Sequence, residues 1–275
     1  ATVGYAANAL GSTTLDGGKG AGGPLAVLFI AIIAAEIGKA VSKETKIDIL
    51  VTPLATILAG VGLSAWWAPA IGTAATSVGS IIMWATDLQP FLMGIVVSVV
   101  IGIALTLPIS SAAICAALGL TGLAGGAAVA GGCANMVGFA VLSFRENRWS
   151  GLISQGLGTS MLQMGNIVRN PRIWLPAILT SAITGPLATC VFQFQMNDPS
   201  GGVASGMGTC GLVGPIGVYA GWVADVASGA KAAITAMDWA AMVLICFLLP
   251  GVLTWAFGLV LRRVGWIREG DLKLD

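Results

Sequence analysis

Gly156-Leu157-Gly158-Thr159-Ser160-Met161-Leu162 and, fifty residues further on, Gly206-Met207-Gly208-Thr209-Cys210-Gly211-Leu212 are two copies of one pattern. Gly, Gly, Thr and Leu recur at the same offsets, and the Leu/Met and Ser/Cys exchanges are conservative. Each box sets permissive glycines and a hydroxyl or thiol inside apolar sequence. Such backbone leaves the regular helix, which at membrane depth is tolerated only inside protein or facing a cavity. The bland alternative is a coincidence of small residues in a chain with 39 glycines.

Composition settles the setting of the boxes. Hydrophobic residues make up 56% of the 275 and charged residues 9%, with a mean hydropathy of +0.91. A soluble domain carries roughly a quarter charged residues. The apolar runs are long and rich in Gly and Ala, and the short alternating segments of an outer-membrane barrel are absent. The expected fold class is an all-α polytopic membrane protein with about 7–9 spans and two re-entrant or discontinuous helices carrying the boxes.

Charge clusters give the boxes a topology. Arg145 and Arg148 precede the first box and Arg169 and Arg172 follow it, about twenty residues apart. Positive clusters stay cytoplasmic. A half-membrane helix of ~10 residues covers ~15 Å, so one re-entrant hairpin fits between the clusters and two spans do not. Ile173 to Phe194 then reads as a span, with Pro176 and Pro186 as kinks, leading to the non-basic loop Asn197–Gly202, placed outside. Residues 205–223 are expected to form a second re-entrant element from that outer side. Trp239 to Val260 crosses back through Pro250 and Gly251, and Arg262, Arg263, Arg268 and Lys273 mark a cytoplasmic C-terminus.

The first half is less regular. Residues 1–23 read as an irregular lead-in, 24–263 as a single transmembrane domain and 264–275 as a cytoplasmic tail. Pro24 opens a span to about Val41 that contains Glu36 and ends in Lys39, Lys43 and Lys46. Asp48 to Leu63 follows, closed by Trp66 and Trp67 at headgroup level. Residues 71–89 fit a short span or an interfacial helix equally. Pro90 to Leu107 is a clear span, and 112–124 and 127–144 are small-residue segments suited to close helix approach. A first residue of Ala without a preceding Met reads as a processed or truncated product.

Few residues can carry chemistry. Gln163 and Asn166 offer amide donors and acceptors to a neutral polyhydroxy ligand, or else satisfy the hairpin's own backbone. Thr159, Ser160, Thr209 and Cys210 divide in the same way between ligand contact and back-bonding to carbonyls. Glu36 is a carboxylate within a span, either a proton, cation or sugar acceptor or the partner of Lys39. Asn135 is expected to make a helix–helix hydrogen bond. The other cysteines, 115, 133, 190 and 246, read as small hydrophobes. With no histidine, no C-x-x-C and no phosphate-loop or Rossmann fingerprint, the expectation is no catalytic constellation, metal or cofactor. The few charges are clustered rather than spread over a face, which leaves no footprint for nucleic acid.

The run from Gly156 to Pro171 resembles a bacterial membrane family, as do Ile173-Trp174, Gly206 to Gly214 and Leu88 to Gly94. That family is the phosphotransferase-system EIIC-like (type 2) proteins, which include the perfringolysin-regulator-like proteins. Lys46 to Pro53, Leu107 to Ser111, Met136 to Ala140 and Ser143 to Asn147 extend the resemblance to nearly the whole chain. It implies a homodimeric sugar permease of the bacterial inner membrane, working with a separate cytoplasmic EIIB that phosphorylates the sugar. Glucose-type members use a His and a Glu near the sugar, and this sequence has no His.

The expected function is translocation of a small polar solute, a sugar, by alternating access at a midplane site between the boxes. The expected partners are membrane lipids, a second copy of the chain, an EIIB-like protein and the solute. One alternative is a non-transporting regulatory or scaffold protein of the perfringolysin-regulator type. A second is an ion-coupled carrier or channel that uses Glu36.

Overall fold

The computed structural model describes residues 23–42, 51–63, 84, 89–197 and 202–274. Most of the ambiguous stretch 71–89, the Trp66–Trp67 pair and the lead-in up to residue 22 lie outside the described residues. The chain divides into two units, Ala1–Ser80 and Ile81–Asp275. In the first unit, α1 spans Gly23–Val41 and α2 Val51–Leu63.

The second unit begins with α3 (Pro90–Thr106), α4 (Ser111–Ala117) and α5 (Gly122–Leu142). The box segment follows, with α6 (Phe144–Ile153) before the first box and α7 (Met164–Arg169) after it. Then come α8 (Pro171–Val191), α9 (Val213–Ala227) and α10 (Ala236–Arg263). Among the described residues the only sheet-like feature is an antiparallel bridge between Gly122 and Met196. Among the described residues four stretches are long and apolar enough to cross a membrane: Gly122–Leu142, Pro171–Val191, Cys210–Ala227 and Ala236–Arg263. The fold is all-α and polytopic. The small-residue segments are divided earlier than expected, at Gly119 and Gly122, whose φ of 59° and 61° only glycine adopts without strain.

Helix α5 is the centre, with almost every side chain buried, because its Gly/Ala surface lets three neighbours approach closely. A Cβ on Gly131 would collide with the Ser98 carbonyl of α3, and one on Gly185 of α8 with the Gly94 carbonyl. Small-residue contact of this kind is how helices associate where lipid removes the hydrophobic drive. Pro250, deep inside a long helix, is accommodated by a wide turn. Pro250 of α10 cannot donate a backbone bond, and the π-turn Leu244–Leu248 before it moves the pairing to Leu249 N–H→Leu244 O. Pro186 of α8 runs into the π-turn Leu187–Val191, closed by Phe192 N–H→Leu187 O at 3.0 Å.

Two hairpins enter this bundle from opposite ends. Leu142 at the end of α5 and Ile173 at the start of α8 share one buried cluster with Ile167, Ile267 and Leu272. The segment carrying the first box therefore leaves and returns at one end. The segment carrying the second box starts beside Met196, which bonds Gly122 at the other end of α5. It returns along α9, where Asn197 Nδ2 donates to Asp225 Oδ2 across 2.9 Å and closes the hairpin neck.

Candidate functional site: two boxes in contact

Both boxes are irregular, as their glycines require. The first runs through a π-turn (Ser154–Gly158), an extended Thr159 and a 3-10 turn (Ser160–Gln163). The second passes from a 3-10 turn (Ala204–Gly206) through Gly208 at φ 51° to another (Cys210–Leu212). Leu212 itself holds φ 59°, a conformation costing a non-glycine residue on the order of 1 kcal/mol.

The boxes meet. Thr209 Oγ1 donates to the Gly156 carbonyl across 2.6 Å, with both residues buried. Gly208 lies so close to α5 that a Cβ on Gly132 would come within 2.9 Å of its Cα. Beside this contact a polar chain runs through the bundle. Ser160 Oγ and Thr106 Oγ1 are 2.9 Å apart, and Thr106 Oγ1 donates to Asn135 Oδ1 at 3.3 Å. Asn135 Oδ1 also accepts from Trp174 Nε1 at 2.9 Å, while its Nδ2 donates to Gly131 O and Ser181 Oγ. All four hydrogen-bonding positions of Asn135 are thus used, three of them between helices, the role read from its sequence context, and one on Gly131 of its own helix. Ser181's carbonyl accepts from Ser98 Oγ at 2.7 Å and completes the chain.

Gln163 and Asn166 face the C-terminal tail. Gln163 is fully buried; its Nε2 donates to Gln155 Oε1 (2.9 Å) and to the Leu272 carbonyl (3.0 Å). Its Oε1 accepts from Asn166 Nδ2, which also donates to the Lys273 carbonyl at 2.9 Å. Thr159 Oγ1 accepts from Met161 N–H at 3.1 Å, a local turn bond. The Cys210 thiol is half-buried and free. Glu36 belongs to the first unit, where its carboxylate lies 3.8 Å from Lys39 Nζ with both side chains more than two-thirds exposed. The structure therefore brings Thr209, Gly156, Ser160 and Thr106 into one place, and groups Gln163 with Asn166 nearby on the tail side.

The tail itself was not foreseen as part of the site. Asn147 Nδ2 donates to the Leu272 carbonyl (2.7 Å), and Asn147 Oδ1 accepts from Leu274 N–H (2.8 Å). Asn170 Nδ2 donates to Asp271 Oδ2 at 2.8 Å, and Arg172 stacks over Trp266 at 5.3 Å. Leu272 is fully buried. Five amide side chains between the arginine clusters (Asn147, Gln155, Gln163, Asn166 and Asn170) were the available signal. A tail built of turns leaves some backbone groups for side chains to satisfy, and amides supply both the donors and the acceptors they need.

The family model described as phosphotransferase system, EIIC (type 2), matches residues 1–274. The chain belongs to that family. Membership makes it a multi-pass component of sugar transport in the bacterial membrane, and the family implies a sugar substrate and cooperation with a cytoplasmic EIIB. No curated protein and no solved structure matches the chain. In this EIIC protein the matched region holds both boxes, the polar chain through Asn135 and nearly all of the docked tail.

Proposed function

We propose that this EIIC protein is the permease subunit of a sugar phosphotransferase and passes a neutral sugar between the two boxes by alternating access. The observation that carries the reading is the Thr209–Gly156 contact, where two hairpins from opposite ends of the bundle touch. Broken helices that meet from both sides are how secondary transporters build a midplane site. In this account both hairpins are re-entrant, the C-terminus is cytoplasmic, and the protein works as a homodimer in the inner membrane. The described arrangement is the closed one. Opening exchanges the Thr209–Gly156 and Ser160–Thr106 bonds for bonds to sugar hydroxyls. A single neutral hydrogen bond nets only about 1 kcal/mol, so the exchange is nearly balanced.

Thr159, Ser160, Thr209 and Cys210 then form the ligand shell, with Gln163 and Asn166 joining it when the tail is displaced. Glu36 is assigned to its ion pair with Lys39. The chain has no histidine, so phosphotransfer is assigned to EIIB, and the permease contributes position and exclusion of water.

The test is counterflow of labelled glucose, mannitol or lactose into proteoliposomes. Transport of one of these that is lost in Thr209→Val and reduced in Ser160→Ala supports the proposal. No movement of any of them, or variants that change only thermal stability, sinks it. A non-transporting scaffold is the second reading, favoured by the commitment of both Gln163 and Asn166 to the tail. It predicts no solute flux in the parent protein and a weakened tail contact as the only effect of Asn166→Ala.

A further inference from the structure

At the end of the bundle where the second hairpin starts lies a cavity of about 310 Å³ walled mainly by polar side chains. Its place follows from two helices. Asp238 sits at the first turn of α10 and Arg262 at its last, about 36 Å away at 1.5 Å per residue. The cavity is therefore at the opposite end from the docked tail. It is also about 18 Å along α9 from the second box, because its wall residue Asp225 lies near the end of that helix. The volume falls at the lower end for small-molecule sites.

The wall is rigid and charged in a specific way. Trp222 is 3% exposed and held edge-on by Phe194 and Trp239, each at 6.1 Å. Lys231 Nζ lies 5.4 Å over the Trp222 ring and 2.6 Å from Asp238 Oδ1. Asp238 Oδ2 accepts from the Thr235 N–H and hydroxyl at 2.7 and 2.8 Å, which fixes the pair. Several groups facing this space remain unbonded among the described residues. They are Asp225 Oδ1, the remaining Lys231 N–H donors, the Gln195 Nε2 and the whole Gln193 amide. Gln193 presents that amide from a backbone at φ 44°, a strained conformation of the kind concentrated at ligand sites.

We propose that this cavity is a binding site for an unphosphorylated, neutral sugar or polyol, distinct from the boxes. Vicinal hydroxyls both donate and accept, and the open groups supply a carboxylate acceptor beside ammonium and amide donors. Two carboxylates against one ammonium leave the lining net negative, which repels a phosphate ester. The site shares with the proposed function the premise of a sugar solute, but not its location. Asp225 both lines the cavity and closes the neck of the hairpin carrying the second box, so a ligand there touches the base of the moving element.

Saturation-transfer NMR of the protein in nanodiscs tests this with glucose, mannitol, lactose and glucose 6-phosphate. The expected result is a saturable signal from at least one neutral compound and none from the phosphate. Asp225→Asn and Gln193→Gly should each weaken that binding about tenfold, the loss expected for one or two hydrogen bonds. Asparagine still accepts from Asn197, and glycine relieves the positive φ. Melting temperature therefore holds or rises while binding falls, which separates a lost site from a lost fold. In Thr209→Val, where the transport reading expects counterflow to stop, a saturable signal that Asp225→Asn weakens should remain. No saturable signal from the three neutral compounds, an equal response to the phosphate, or variants that bind like the parent would overturn the proposal. Complete loss of the signal in Thr209→Val would overturn it too, by placing all of the bound sugar at the boxes and leaving the transport reading standing.

Discussion

The Thr209 hydroxyl reaches the Gly156 carbonyl across 2.6 Å and 53 positions of sequence, joining the fourth residue of the second box to the first residue of the first. The bond is the point at which the two hairpins recognise each other. It is buried on both sides, so its removal leaves a carbonyl without a partner.

Thr209→Val keeps the shape and removes the donor. It should lower stability by about 1–2 kcal/mol, the cost of an orphaned buried acceptor, and Thr209→Ser should recover most of the loss. Thermal unfolding in detergent, read with both variants side by side, checks this.

Gly131→Ala drives a methyl into the Ser98 carbonyl. Backbone cannot yield as a side chain end does, so the expected cost is about 3 kcal/mol or more, or loss of folded protein. Gly165 in α7 has nothing within 4 Å of its Cβ position. There alanine should be neutral or stabilise by up to about 1 kcal/mol through helix propensity. The two melting temperatures should move in opposite directions.

Arg262 donates to Glu146 Oε1 at 2.8 Å, and the Glu146 side chain is 6% exposed with Oε2 unpartnered. Arg262→Met strands that carboxylate and should cost about 3–5 kcal/mol. The double variant Arg262→Met with Glu146→Leu should regain most of it, since replacing a buried pair by apolar groups is close to neutral. Little recovery in the double-mutant cycle would show that the pair contributes net stability.

The docked tail predicts a truncation phenotype. Leu272→Ala empties a fully buried site and should cost about 2–5 kcal/mol. Asn166→Ala removes one tail contact and should cost about 1 kcal/mol. Proteolysis of the tail, followed by mass spectrometry, should be slow in the parent protein and fast in Leu272→Ala.

The long elements were legible in sequence because their signals are local. Pro90 to Leu107, Ile173 to Phe194 and Trp239 to Val260 are apolar runs bounded by prolines or basic residues, and each recurs as a helix within a few residues of its expected ends. The twin boxes were legible as broken helix because glycine content dictates backbone. Their contact was not legible, since Thr209 and Gly156 are brought together by the return paths of two hairpins. Gln163 and Asn166 carried the right chemistry for a sugar and proved to be bonded to Leu272 and Lys273. An amide's partner is set by whatever backbone is unpaired nearby, and residue type does not reveal that. The cavity around Asp225, Lys231 and Gln193 draws on three separate segments and left no spacing to read.

The most direct test of the central claim is counterflow of glucose, mannitol or lactose into proteoliposomes, measured side by side for the parent protein, Thr209→Ser and Thr209→Val. The account predicts flux in the parent, most of it kept in Thr209→Ser, which retains the hydroxyl that reaches Gly156, and its loss in folded Thr209→Val. Undiminished flux in folded Thr209→Val would show that the sugar does not pass between the boxes.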